Sequence, residues 1–164
     1  SLAATGWAVV SLHGSTPETI QDCGCIRTKP DHRERVKGAD TVHRVRSIAR
    51  QLRDIIGQYQ PIAIVAELPY GSQHAASAVA QGICYGIIGA LAETHGIPLV
   101  MVTPQQSKQQ VAGCRNASKS AIQECVFRWW PEASRGDGDE HVADALAALV
   151  AARDSEIYRM ACNL

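Results

Sequence analysis

The sequence predicts an α/β layered fold with a mixed sheet. Three observations carry this. Two β-patterned runs open the chain with a short turn between them. A continuous apolar run, "IAIVAE" (62–67), has the length and lack of alternation of a strand buried on both faces. Helical and strand patterns alternate after it. At 164 residues the chain is long enough for a proper core, and residues 1–164 read as a single domain.

The elements follow in order. "TGWAVVSL" (5–12) and "TIQDCGCIRT" (19–28) are strands, and Gly14, Ser15 and Pro17 make the turn between them. A polar loop, "KPDHRERVKGAD", leads to an amphipathic helix over 39–59. Its Val42, Val45, Ala49, Leu52 and Ile56 recur at three and four, and Gly57 and Pro61 end it. After the strand 62–67 and the loop "LPYGSQ" comes an Ala/Gly-rich helix over 73–95, closed by Gly96 and Pro98. It reads as a buried, closely packed helix, just short of membrane-spanning character. "IPLVMV" (97–102) is a further strand. Pro104 starts a short helix to Ala112, and Gly113 stops it. Ser118 caps the next helix and Pro131 ends it. The last helix follows "EASRGDGD".

Composition narrows the class. The chain is 46% hydrophobic and 20% charged, as in soluble globular proteins. No secretory leader is expected at Ser1, and the chain opens within a strand. The six cysteines form no C-x-x-C pair, which argues against zinc. They read as reduced and mostly buried, which suits the cytoplasm. Net charge is zero but uneven. Residues 27–53 hold nine Lys or Arg against three acids, a local charge of +6. Such a patch suits phosphate binding, and a solvated helix face would give the same pattern.

The candidate chemistry lies at the last helix, "GDGDEHVADALAALVAARD" (136–154). Asp137, Asp139 and Glu140 suit a helix N-terminus, where carboxylates offset the dipole and cap free N–H groups. His141 and Asp144 are not covered by that. They are three apart on one face, amid alanine and leucine, where a carboxylate is costly without a partner. Glu67 ends the apolar strand 62–67, and ligand sites gather at such sheet edges. If the last helix packs beside that edge, Glu67 meets His141 and Asp144. Carboxylates gathered that closely call for a cation, as in metal-assisted phosphoryl transfer.

From Thr5 to about Ala152 the chain resembles the RuvC family of Holliday-junction resolvases, which have the RNase H-like fold. The matching pieces come in order: "TGWAVV", "GCIRT", "IAIVAELPYGSQHAASAVAQGICYGII", "VTPQQSKQQVAGCRNASKSAIQ" and "HVADALAAL". The resemblance implies a metal-dependent endonuclease that cuts four-way junctions in pairs of nicks, leaving 5′-phosphate and 3′-hydroxyl ends. Glu67 and Asp144 would be metal-binding carboxylates. His141 falls where members carry Asp or His, and would bind metal or position the attacking water. Asp139 and Glu140 are weaker candidates. An essential family aspartate is expected about two residues before Ser1. Two Mg²⁺ ions are implied, about 3.5–4 Å apart in such sites, with Mn²⁺ able to substitute.

Tyr70 takes the place of an aromatic that stacks on a base at the opened crossover. Lys108 and Lys119 match positions that touch phosphates, and Arg115 joins them. The implied partners are branched DNA, a second copy in a two-fold dimer, and branch-migration machinery. In that dimer the small residues of the 73–95 helix would admit a close neighbour; packing within the subunit uses them equally well. Two other readings keep the fold: a non-catalytic nucleic-acid-binding module, and a nuclease acting on RNA or other branched DNA.

Overall fold

The computed structural model describes residues 2–12, 18–31, 33, 36, 38–68 and 74–162. Strand β1 (Ala4–Ser11) pairs antiparallel with β2 (Thr19–Arg27), in the register Ala4 to Arg27 and Gly6 to Cys25, with an irregularity between Val9 and Val10. Strand β3 (Ile64–Glu67) pairs parallel with β4 (Leu99–Val102), which sets Glu67 opposite Val102. The antiparallel and parallel pairs supply the expected mixed strand directions. Among the described residues they form two separate ladders.

The helices are α1 (Ala39–Tyr59), α2 (Ala75–His95), α3 (Pro104–Ala112), α4 (Lys119–Trp129), α5 (Asp139–Ala152) and α6 (Glu156–Ala161). Helix α5 holds the two ladders together. Its Val142, Ala143, Leu146, Ala147 and Val150 pack with Cys23 of β2, Val111 of α3, Ile122 and Val126 of α4, and Trp130. Its Ala148, Ala151 and Ala152 pack with Val100 and Val102 of β4. That double burial explains a helix apolar nearly all round. On the other side of β1 and β2, Leu2 and Ile26 meet Ile48 of α1 and Ile87 of α2. The result is three layers: α1 with α2, the strands, and α5 with α3 and α4.

Local signals set several boundaries. Pro104 occupies the first turn of α3, and Thr103 forms a reciprocal capping box with Gln106. Ser118 caps α4 by accepting from the Ala121 N–H at 3.1 Å. A buried ionic cluster fixes the far end of the molecule. The Glu18 carboxylate accepts from Arg153 Nε at 2.8 Å, from the other arm of that guanidinium, and from the Tyr158 hydroxyl. The Glu18 carbonyl accepts from the indole N–H of buried Trp130 at 2.7 Å. Burial alone would raise the Glu18 pKa, but Arg153 and Tyr158 together hold it below the ordinary value.

The structure corrects several expectations. Helix α1 passes Gly57 and stops at Gln60, whose φ of 45° is left-handed. Its Val42 lies outside the core, 56% exposed, because the buried stripe begins a turn later at Val45 and Ile48. Strand β3 buries only Ala66 fully, because its ladder has two strands and leaves the other positions half-covered. All six cysteines are free, but Cys23 alone is buried and Cys114 is exposed.

Helix α2 departs most from expectation. It is long and apolar enough to cross a membrane by length and composition, yet within the subunit only Ile87 and Ala92 are buried. Val79 is 63% exposed. A Cβ added at Gly82, Gly86 or Gly89 would meet nothing within 4 Å. These three glycines therefore do not serve close packing inside this subunit.

Candidate active site

Strand β3 ends at Glu67, and α5 carries Asp144 to the same edge. The two carboxylates are close enough to disturb one another. Burial and the Asp144 charge push Glu67 up to about 7, against the pull of Lys108 and Lys119. Asp144 is also raised, first by burial; Lys119, His141 and Lys108 oppose the shift and Glu140 adds to it. Two carboxylates held together against solvation and repulsion form an oxygen-donor pair that suits a hard divalent cation. Because Glu67 lies opposite Val102, the capped start of α3 at Thr103 is its neighbour. Helix α3 brings in Lys108, half-buried, while Lys119 opens α4 with its side chain 73% exposed.

Two glycines let α5 come this close. A Cβ on Gly6 of β1 would lie 1.8 Å from the His141 carbonyl oxygen. A Cβ on Gly138 would lie 2.7 Å from the Cys25 Cβ, and Gly138 also has a φ of 95°. The first turn of α5 therefore rests directly on the Gly6–Cys25 rung of the hairpin. Sequence reasoning missed both roles. The available signal was a glycine inside a strand pattern, which marks close backbone approach.

The structure places the remaining candidates as follows. His141 is half-buried, with Nε2 3.4 Å from Glu140 Oε1; Glu140 Oε2 in turn lies 3.7 Å from Lys119 Nζ. Among the described residues no group of three or more His, Cys, Asp or Glu side chains is gathered as a metal site. Arg115 is exposed in the turn between α3 and α4. Tyr70 lies outside the described residues.

Asp139 and Glu140 lie in the first turn of α5, as the dipole reading expects, and Asp139 also holds the loop before the helix. It accepts from the backbone N–H of Arg135 and Gly136, both at 2.9 Å, and from the Ser134 hydroxyl at 2.8 Å. Slight burial opposes, but these bonds hold its carboxyl below the ordinary value. The expected carboxylate caps are absent because Gly138 is the N-cap and no side chain caps this helix. Asp137 pairs with Arg27 at 2.6 Å instead. One group near the site had no sequence signal. The Tyr85 hydroxyl of α2 is buried, has no hydrogen-bond partner among the described residues, and feels the Glu67 charge.

The family model for "Crossover junction endodeoxyribonuclease RuvC" matches residues 1–152. The chain belongs to the RuvC family. A RuvC of Protochlamydia amoebophila is 33% identical over 89% of this chain and 82% of its own length. A RuvC of Desulforamulus reducens is 33% identical over 90% of this chain and 85% of its own length. The Thermus thermophilus RuvC structure superposes with a TM-score of 0.74 at 24% identity, covering 98% of this chain and 91% of that one. A second Thermus structure, RuvC in complex with Holliday junction substrate, gives a TM-score of 0.75 at 24% identity over 92% of this chain and 86% of its own. The fold is thus RNase H-like, as the resemblance implied. RuvC proteins are metal-dependent nucleases.

Proposed function

We propose that this chain is a metal-dependent endonuclease that resolves four-way DNA junctions by paired phosphodiester hydrolysis. The observation that carries this reading is the convergence of Glu67 and Asp144, from β3 and α5, with Lys108 and Lys119 beside them. The donor set favours Mg²⁺, with Mn²⁺ as a substitute that also tolerates imidazole. Two ions per site would supply an activated water and charge neutralisation at the leaving oxygen. Glu67 and Asp144 would hold them. His141, at the rim of this pair, orients the attacking water or takes its proton. Lys108 and Lys119 neutralise the phosphates of the cut strand, with Arg115, in the turn between their two helices, as a further contact. Tyr70, three residues after Glu67 in the sequence, would stack on an unpaired base at the crossover.

A second copy covers α2. Four-way junctions present two equivalent strands for cutting, and a two-fold dimer supplies two sites. The exposed apolar surface of α2, with Val79 near its start and open glycines further along, suits that contact. A cytoplasmic setting fits six free cysteines.

The test is a cleavage assay on a synthetic four-way junction, a linear duplex of the same sequence and an RNA–DNA hybrid. Mg²⁺, Mn²⁺ and chelator are compared in parallel. Paired symmetric nicks in the junction alone, dependent on metal, are expected. Tight junction binding with no cutting in either metal would mean the fold serves binding only. Preferential cutting of the hybrid would reassign the substrate.

A further inference from the structure

The basic segment over 27–53 is not used by the site described above. Its arginines divide into two sets. Arg44 turns inward, donating from Nε to Thr28 Oγ1 at 2.9 Å and lying 3.7 Å from Asp40. Arg46, Arg50 and Arg53 are all exposed. They are spaced four and three apart on one face of α1, each one residue after Val45, Ala49 or Leu52, so this face flanks the core stripe. Arg53 shares its charge with Asp54 at 2.6 Å. Arg46 and Arg50 have no ion-pair partner among the described residues, and neither has exposed Lys29. Arg33 is exposed beside Asp31, at 3.9 Å. Unpaired guanidinium groups a helical turn apart gain nothing from each other and wait for an external anion.

The position of this face suggests which anion. The end of β2 is a junction between two elements. Arg27 ties it to Asp137, just before α5, and Thr28 ties it to Arg44 in the first turns of α1. Helix α1 then runs back along β2, because Tyr59 at its far end donates to Asp22 at 2.8 Å. Helix α1 therefore begins across the end of β2 from the start of α5, the helix that carries Asp144, and its basic face recedes from there. From Arg46 to Arg53 it extends about 10 Å at 1.5 Å per residue. One DNA strand presents a phosphate about every 3.4 Å of axis, so this face spans roughly three.

We propose that Arg46 and Arg50, with Lys29, Arg33 and Arg53 flanking them, form a track for the backbone of a duplex arm leaving the cleavage site. The proposal rests on the junction-resolving reading. It adds that arm length beyond the crossover contributes to affinity through α1 and not to the chemical step.

The test uses the double variant R46A/R50A, with R46E/R50E as the stronger perturbation. Both positions are exposed, and a thermal melt checks that the fold is kept. Binding is measured against salt for two four-way junctions that share a core, one with arms a helical turn longer. For the long-armed junction, R46A/R50A should lower the slope of log affinity against log salt by roughly 1.8, at about 0.9 per phosphate contact, and weaken binding about tenfold or more. Single-turnover cleavage of the short-armed junction at saturating protein should be unchanged. The charge-reversed pair should weaken long-arm binding further. Wild-type slope and affinity in both variants would overturn the proposal, and so would an equal loss on both junctions. Wild-type protein that binds junctions without cutting them would defeat the nuclease reading, while the slope difference would still decide this one.

Discussion

Gly6→Ala tests whether the β1–β2 pair sets the position of α5, the helix that carries His141 and Asp144. The added Cβ would lie 1.8 Å from the His141 carbonyl oxygen, 2.2 Å from its carbon and 2.8 Å from the His141 Cβ. Oxygen and carbonyl carbon are backbone, so no rotamer change relieves the clash. The closest approach is short by about 1.6 Å of the 3.4 Å at which ordinary contact begins, so strand or helix must move. Because β1 is held by its ladder to β2, the first turn of α5 should lift, taking His141 and Asp144 away from Glu67. A misplacement near 1 Å costs on the order of 100-fold in rate. Overpacking of this kind also costs about 1–3 kcal/mol of stability, or roughly 3–10 °C in Tm for a chain of this size. Single-turnover junction cleavage, junction affinity and a thermal melt separate the effects. Cleavage should fall about 100-fold below the melting range, with affinity nearly kept. Gly24→Ala is the control on the partner strand, where a Cβ meets only the Trp7 ring at 3.2 Å. A Gly6→Ala protein that cuts at the wild-type rate would refute the reasoning.

Four further predictions concern Glu67, Arg153 and Tyr85. Glu67→Gln should abolish cleavage and keep junction binding; retained cleavage would remove Glu67 from the metal site. In chelator, the raised Glu67 pKa implies a contribution to stability that is full below its ordinary value of 4.5 and lost as pH rises through about 7. Wild-type Tm should carry that fall, and Glu67→Gln should lack it; equal pH profiles would contradict the shift. Arg153→Met leaves the Glu18 carboxylate, 3% exposed, without its guanidinium. A loss of about 3–5 kcal/mol is expected by chemical denaturation, and a loss under about 1 kcal/mol would mean that Tyr158 or solvent suffices. Tyr85→Phe removes a buried hydroxyl that has no partner among the described residues, so Tm should hold or rise. A clear drop in Tm would reveal a partner.

The two carboxylates were legible in the sequence because each sits where a charge is expensive. Glu67 ends an apolar strand and Asp144 lies within an Ala/Leu helix. Strand and helix order was legible for the same kind of reason, since Pro104, Gly113, Ser118 and Gly96 act locally. What resisted reading was tertiary. Nothing near Gly6 shows that a carbonyl 135 positions later rests on it. Glu18, Arg153 and Tyr158 form no local pattern and meet only after folding. The place of Asp139 in the first turn of α5 was legible, but its capping role was not, because a shift of one residue separates a helix cap from a loop clamp and the left-handed Gly138 decides between them. The composition of α2 says that its surface must be covered, but composition does not say whether the cover lies in the same chain.

Helix α5 has a double role: it packs on both strand pairs and delivers Asp144 to Glu67. The order of synthesis then acts as a safeguard. A ribosome that has already released β3 holds a half-site without its second carboxylate. The same helix that brings the second carboxylate to Glu67 completes the core, so on the proposed reading the site cannot form before the fold does.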